Sequence, residues 1–352
     1  MHPAGQEQTS CAGPWLPEML PRVHTPAIDY QIVATLGPSS ETEPTWEAML
    51  AAGVSAFRLN TSHLSLPGLQ RWIGRLGSFL ARREPRPPVV LDLQGSKWRL
   101  GEFPARAFEA GQRITLVCAA SAADPDVLPV PHPDFFRAAS ASSGEIVLND
   151  ARLRLTLEAF EASALRARVI QGGALAPRKG ITYAHSSYRQ ESLNDADRAI
   201  LAEARQLTGI RYAVSYVKDA AEMASYRRQI GGDVSLIAKL ERPQAVEEAA
   251  QIAGSADELW LCRGDLGAEL GLKTMAAAVG GFSDQVPAIP RPVLLAGQVL
   301  EHMTEHSTPT RAEVCGLHDA LRRGYRGFVL SDETAIGRDP VESCRVAALF
   351  RS

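Results

Sequence analysis

Eight short apolar runs, each closed by polar or glycine-containing residues, set the tightest limit on what this chain can fold into. They are "QIVATLGPSS" from 31, "GVSAFRLNTSH" from 53, "PPVVLDLQGSK" from 87, "IRYAVSYVKD" from 210, "VSLIAKLER" from 234, "ELWLCRGDLG" from 258, "RPVLLAGQ" from 291 and "RGFVLSDE" from 326. Their apolar parts mostly lack alternation, which fits parallel strands covered on both faces. Helical patterns lie between several of them, such as "NDADRAILAEARQLTG" and "QAVEEAAQIAGSAD". Each of these begins near a capping residue or proline and reaches a glycine. Eight strand–helix units predict an α/β chain folded as a (β/α)8 TIM barrel, with its chemistry at the C-terminal ends of the strands.

One long insertion breaks the pattern. Within residues 102–176 the stretches "QRITLVC", "GEIVLND", "LRLTLEAF" and "ALRARVIQGG" alternate like half-exposed antiparallel strands. They predict a small inserted β domain, barrel-like, placed after the third strand and hanging over the barrel mouth as a lid. The barrel itself is then expected over 30–101 and 177–352, preceded by a loose polar, proline-rich tail over 1–29. "GGFSDQVPAIP", residues 280–290, reads as a loop.

Composition narrows the class. A net charge of −3 over 352 residues gives no electrostatic footprint for nucleic acid. No run approaches the ~18 apolar residues of a membrane helix, and no signal peptide opens the chain. The cysteines Cys11, Cys118, Cys262, Cys315 and Cys344 are far apart, the pattern of reduced thiols in a cytoplasmic protein.

The strand ends carry the chemistry. In "LIAKLER", Lys239 and Glu241 stand two apart and so share one face of a strand. Alone, they fit a solvated rim, a structural ion pair, or a site that handles a metal and an anion together. Glu241 and Asp265 are hard oxygen ligands of the kind Mg²⁺ takes. Lys239 is a point positive charge, and Arg58 and Arg99 are planar donor forks for phosphate oxygens. "RGDLG" can present the backbone N–H groups of Gly264 and Asp265 at a turn, where a carboxylate would dock. His302 and His306, four apart in "EHMTEH", share a helix face, but the HExxH spacing is absent and a solvated face is the plainer reading. Neither a P-loop nor a strand-borne GxGxxG is present.

In order along residues 30 to about 350, "ATLGPSS", "FRLNTSH", "LDLQGSKWRLG", "VLND", "RKGIT", "VSYVKD", "IAKLERPQAV", "CRGDLGAELG", "PTRAEV" and "LSDETAIGRDPVES" together resemble the pyruvate kinase family. The resemblance implies a barrel with a mobile lid and the transfer of phosphate from phosphoenolpyruvate to ADP, giving pyruvate and ATP. It implies Mg²⁺, or Mn²⁺, on Glu241 and Asp265, with Lys239, Arg58 and Arg99 at the phosphoryl group. It also implies substrate contacts at Gly264, Asp265, Gly297, Ser331 and Glu333, and nucleotide contacts at Arg58, His63 and Lys179. Asp150 matches the lid acid. Asn60, Ser62 and Asp92 match the family's monovalent-cation ligands. Lys97 stands where potassium-dependent members carry Glu, so potassium is expected to be dispensable, with the Lys97 ammonium in its place. The chain is expected to lack the family's C-terminal regulatory domain, and hence sugar-phosphate control. Any assembly would be a homodimer through barrel helices near "PTRAEV".

The chain also departs from the family. Gly297 stands in place of a Thr that helps order substrate and the water linked to enolate protonation. Slow, partly uncoupled pyruvate formation is therefore expected, with Gly297→Thr raising turnover if the backbone there does not need φ > 0. Asp332 replaces Gly, Ala151 replaces Gly, and "LSLPG" follows His63. A lyase or aldolase handling a pyruvate enolate on the same barrel is the rival enzyme. A non-catalytic paralogue that binds phosphoenolpyruvate is the rival outside catalysis.

Overall fold

The computed structural model describes residues 29–351, apart from 142–143, 150–151, 162, 184–192 and 206. Asp150 and Ala151 therefore lie outside the described residues. All eight apolar runs form strands: β1 (Gln31–Thr35), β2 (Ala56–Asn60), β3 (Val89–Leu93), β4 (Ile210–Val214), β5 (Ser235–Leu240), β6 (Glu258–Cys262), β7 (Val293–Ala296) and β8 (Gly327–Leu330). They close into one barrel in which each strand is parallel to its sequence neighbours and β8 pairs with β1, Gln31 opposite Gly327.

The missing alternation has a direct cause. Val33, Ala56, Val90, Ala213, Ile237, Trp260, Leu294 and Val329 fill the barrel interior. Their strand neighbours Ile32, Phe57, Leu91, Val214, Leu236, Leu261, Leu295 and Phe328 pack outward under the helices. Both faces of every strand are dry, so both must be apolar.

Helix Asp195–Ala204 starts where expected. The Asn194 side chain caps it by accepting the Asp197 N–H at 2.8 Å. The segment from Gly280 departs from expectation: helix Leu272–Gln285 runs through Gly280 and Gly281, and only Val286–Ala288 tightens into a 3₁₀ turn. Two mid-helix glycines cost about 2 kcal/mol. Burial of Phe282, and of Ser283 with its hydroxyl 2.9 Å from Tyr325 Oη, anchors the last turns and outweighs that cost.

The insertion forms a six-stranded sheet ordered Ile181–Tyr183, Glu145–Leu148, Leu153–Glu161, Ala164–Gln171, Arg113–Val117 and Val127–Pro129. Pairing is antiparallel except between the last two strands. A separate pair joins Arg106–Phe108 to Gly173–Leu175. Inward residues such as Ile114, Leu116, Leu165, Ala167 and Val169 share a core with Trp98, Phe135 and Tyr183, the last two rings stacked at 4.5 Å. This core takes in Trp98 and Tyr183, so it reaches past the expected limits of 102 and 176 on both sides. The two crossing strands hold each other where they leave the barrel, Leu100 N–H to Lys179 O at 2.9 Å and Ile181 N–H to Trp98 O at 3.2 Å. Arg152 of the insertion reaches Glu301, beyond β7, at 2.9 Å. The insertion thus touches the C-terminal rim of the barrel. No helix among the described residues is long and apolar enough to cross a membrane.

Candidate active site

The strand ends converge on Asp92, the fourth residue of β3, which is 2% exposed. Arg58, from β2, donates to its Oδ2 through Nε at 2.8 Å and a terminal nitrogen at 2.5 Å. Lys239 Nζ, from β5, lies 3.1 Å from Asp92 Oδ2 and 3.3 Å from Oδ1. Burial alone would raise the Asp92 pKa, but Lys239 and Arg58 hold it down to about 2. Burial likewise works against the charge on Lys239, yet Asp92 and Glu241 carry its pKa above the ordinary lysine value.

Lys239 and Glu241 do share a face: Nζ and Oε1 are 2.9 Å apart. Glu241 Oε2 accepts the Tyr216 N–H at 2.7 Å. Burial raises the Glu241 pKa against the pull of Lys239, and Asp265 adds to the rise. Asp265 sits in the first turn of helix Arg263–Leu270, so the expected turn at Gly264 and Asp265 is instead a helix start. Both Asp265 oxygens take Lys97 Nζ, at 2.5 and 2.6 Å. Burial opposes the Asp265 charge, but Lys97 wins and lowers its pKa.

Three expectations meet a different geometry. The Lys97 ammonium lies on both oxygens of Asp265, one of the expected divalent-ion ligands. Asn60 Oδ1 instead accepts the Ser62 N–H at 3.3 Å and starts a 3₁₀ turn, while the Asp92 carboxylate is held by cationic side chains. His302 and His306 belong to a 3₁₀ turn and its exit rather than a helix face. Their rings stack at 3.8 Å, each Nδ1 facing a backbone carbonyl, and no group of three ligand-type residues that could hold a metal occurs among the described residues. Gly297 has φ +79°, and a Cβ there would stand 3.0 Å from Gly264 N and 3.1 Å from Arg263 N. The condition attached to Gly297→Thr is therefore not met, and the added side chain is strained before its hydroxyl can act.

The remaining expected residues are dispersed around this cluster. A terminal nitrogen of Arg99 donates to Arg178 O at 3.0 Å, at the crossing into the insertion, and its charge helps lower Asp265. Lys179 is half-buried at that crossing, and the His63 side chain lies outside the described residues. Ser331 donates its N–H to Glu333 Oε2 at 3.0 Å, and Asp332 is exposed.

Glu333 is fully buried, also accepts the Leu300 N–H at 3.3 Å, and is pushed up to about 7 by burial. It therefore holds a proton in the fold that the unfolded chain has already released. Stability should fall as pH rises from about 4.5 to about 7, by up to ~1.4 kcal/mol per pH unit from this group. Urea unfolding across that window, for the native chain and Glu333→Gln, checks it. An equal pH slope in both would overturn the assignment.

Four contributors were not expected. Ser215 Oγ bridges Lys239 at 2.9 Å and Asp92 at 3.1 Å. Thr35 Oγ1 accepts from Arg58 at 2.8 Å. Arg263 clasps Gly297 O, at 3.0 and 2.9 Å, and Gln298 O, at 2.8 Å. Asp197 accepts the N–H groups of Gln94 and Gly95. The signal for Ser215 and Thr35 was their place: small hydroxyl residues at the polar ends of apolar strands.

Residues 28–344 match the family described as pyruvate kinase, barrel domain. The chain belongs to the pyruvate kinase family. It is 34% identical over 318 residues to a pyruvate kinase of Methylorubrum extorquens, covering 89% of this chain and 66% of that protein. It is 30% identical over 329 residues to a pyruvate kinase of Thermococcus litoralis, covering 92% of this chain and 69% of that protein. To a pyruvate kinase of Aeropyrum pernix it is 31% identical over 330 residues, covering 92% and 70%. The chain thus spans about two thirds of the length of these curated relatives. A divalent-metal requirement is general to the pyruvate kinase family, and Glu241 with Asp265 meets the donor chemistry such an ion needs: two carboxylates, one buried and one largely so, after neighbouring strands of the barrel.

Proposed function

We propose that this chain catalyses phosphoryl transfer between phosphoenolpyruvate and ADP, giving pyruvate and ATP. The observation that carries the reading is the pairing of Lys239 and Arg58 on one buried carboxylate, Asp92, beside Glu241 and Asp265. A phosphoryl group in flight needs positioning and charge neutralisation more than covalent help. In this reading the bond between phosphorus and the enol oxygen breaks, a bond to the terminal phosphate oxygen of ADP forms, and the enolpyruvate left behind takes a proton at its methylene carbon. Lys239, held by Asp92, Ser215 and Glu241, presents a fixed ammonium to the transferring oxygens. Arg58 offers a planar fork beside it. The backbone nitrogens of Arg263 and Gly264, at the start of helix Arg263–Leu270, lie close against Gly297 and in this reading receive the substrate carboxylate. Mg²⁺ on Glu241 and Asp265 would supply Lewis-acid neutralisation of the substrate oxygens.

A coupled assay with phosphoenolpyruvate, ADP and Mg²⁺ tests the proposal. ADP-dependent pyruvate formation is expected. Pyruvate release without ADP, or oxalate binding without turnover, would replace it with an enolate-handling or a binding role.

Potassium independence belongs to the same reading. Lys97 holds its ammonium against Asp265 at the barrel mouth, so activity in sodium or tetramethylammonium buffers should equal that in potassium within about twofold. A rate that rises tenfold with potassium would discard this part.

A further inference from the structure

Asp197 carries no role so far, yet it is a carboxylate only 1% exposed, on helix Asp195–Ala204. Its two oxygens accept the backbone N–H groups of Gln94, at 3.0 Å, and Gly95, at 2.9 Å. Those two amides open the turn that leads from β3 to Lys97. Other bonds stiffen the turn: Gln94 Nε2 donates to Lys97 O at 3.0 Å, and Ser96 Oγ donates to Tyr216 O at 3.2 Å. Gly95 has φ +59° and lies flat on the end of β4, where a Cβ would come within 2.1 Å of Ser215 O. The turn has little room to move while Asp197 holds it. At its far end, the Lys97 ammonium occupies both oxygens of Asp265.

We propose that Asp197 is a positioning residue for the divalent-ion site: it fixes the Gln94–Gly95 turn so that Lys97 stays docked on Asp265 and competes with the incoming metal. The proposal rests on the reading of Glu241 and Asp265 as metal ligands. A carboxylate already taken by an ammonium is available to a metal only in the fraction of molecules where the ammonium has moved, and apparent affinity falls by that fraction. Asp197→Asn keeps one acceptor but turns an amide N–H₂ toward the other backbone donor. The turn must then shift, and Lys97 loses its alignment.

The test is Mn²⁺ binding to the protein alone, followed by the electron paramagnetic resonance signal of free Mn²⁺ at pH 8. Lys97→Met should tighten Mn²⁺ by about 10-fold, and Asp197→Asn by about 3-fold. Asp197→Asn added to Lys97→Met should change nothing further, because Asp197 acts through Lys97. A purely structural Asp197 would shift affinity equally in both backgrounds. That result, or no effect of Asp197→Asn on the native background, overturns the proposal and leaves the metal assignment standing. Circular dichroism reports folding of each variant. Should Asp197→Asn not fold, Asp197→Glu carries the same comparison, since it keeps the charge but displaces the turn. Mn²⁺ binding that Asp265→Asn leaves untouched would overturn the metal assignment itself, and the proposal with it.

Discussion

Glu241→Gln or Asp265→Asn should lower Mg²⁺-dependent turnover by about 10²–10³-fold while the barrel remains folded. Each removes one of two carboxylates that fit a hard divalent ion, and loss of one preorganised charge contact typically costs ~10²–10³ in rate. The two variants should differ in stability. Asp265→Asn leaves Lys97 facing a neutral amide at a site where both side chains are largely buried. Glu241→Gln can still accept the Tyr216 N–H, so its fold should suffer less. Steady-state rates against Mg²⁺ concentration, with thermal melts alongside, read both effects. Unchanged turnover in either folded variant would remove the metal role from that residue.

The second large effect concerns Lys239. Lys239→Met strips the ammonium from two buried carboxylates, and breaking a buried pair from one side costs roughly 3–5 kcal/mol. The Asp92 pKa, about 2 in the native chain, should rise once half of its counter-charge is gone. A structural ion pair and a catalytic ammonium both predict a damaged variant, so stability alone does not separate them. Adding Glu241→Gln does. It removes the carboxylate left without a counter-charge, since Asp92 keeps Arg58, and should restore stability in urea unfolding, with activity still well below that of Glu241→Gln alone. Recovery of activity together with stability would show that Lys239 serves only the fold.

The barrel was legible because its cause is local. Strands dry on both faces must be apolar throughout, and the polar residues that end them mark one rim of the barrel. The inserted sheet was legible for the complementary reason, since buried Ile114, Leu116, Leu165 and Ala167 alternate with exposed or half-buried neighbours. The last turns of helix Leu272–Gln285 were read as loop, because paired glycines outweighed Phe282 in a local reading, although burial of that ring with Ser283 holds them helical. Lys239 and Glu241 could be placed from a two-residue spacing. The partner of Lys97 could not, because Asp265 lies 168 positions away and the geometry depends on how the Gly95 turn rests on β4. Asp197 was hidden by its context. "NDAD" reads as a helix start rich in acids, and only the folded chain shows that one of them points inward, at the β3 turn.

The charges on the interlocked side chains at the barrel mouth cancel. Arg58, Lys97 and Lys239 face Asp92, Glu241 and Asp265, three against three and all largely buried, with Arg99 and Arg263 outside these pairs. Such a site attracts neither sign of ion by itself. A cation arriving alone leaves surplus positive charge in a poorly screened space, and an anionic substrate arriving alone leaves the reverse. Each arrival removes the penalty on the other. Metal and substrate should therefore bind as synergistic partners, each tightening the other by the same factor. An electroneutral mouth would then act as a filter, admitting the two opposite charges together and discouraging either one from lodging there unaccompanied.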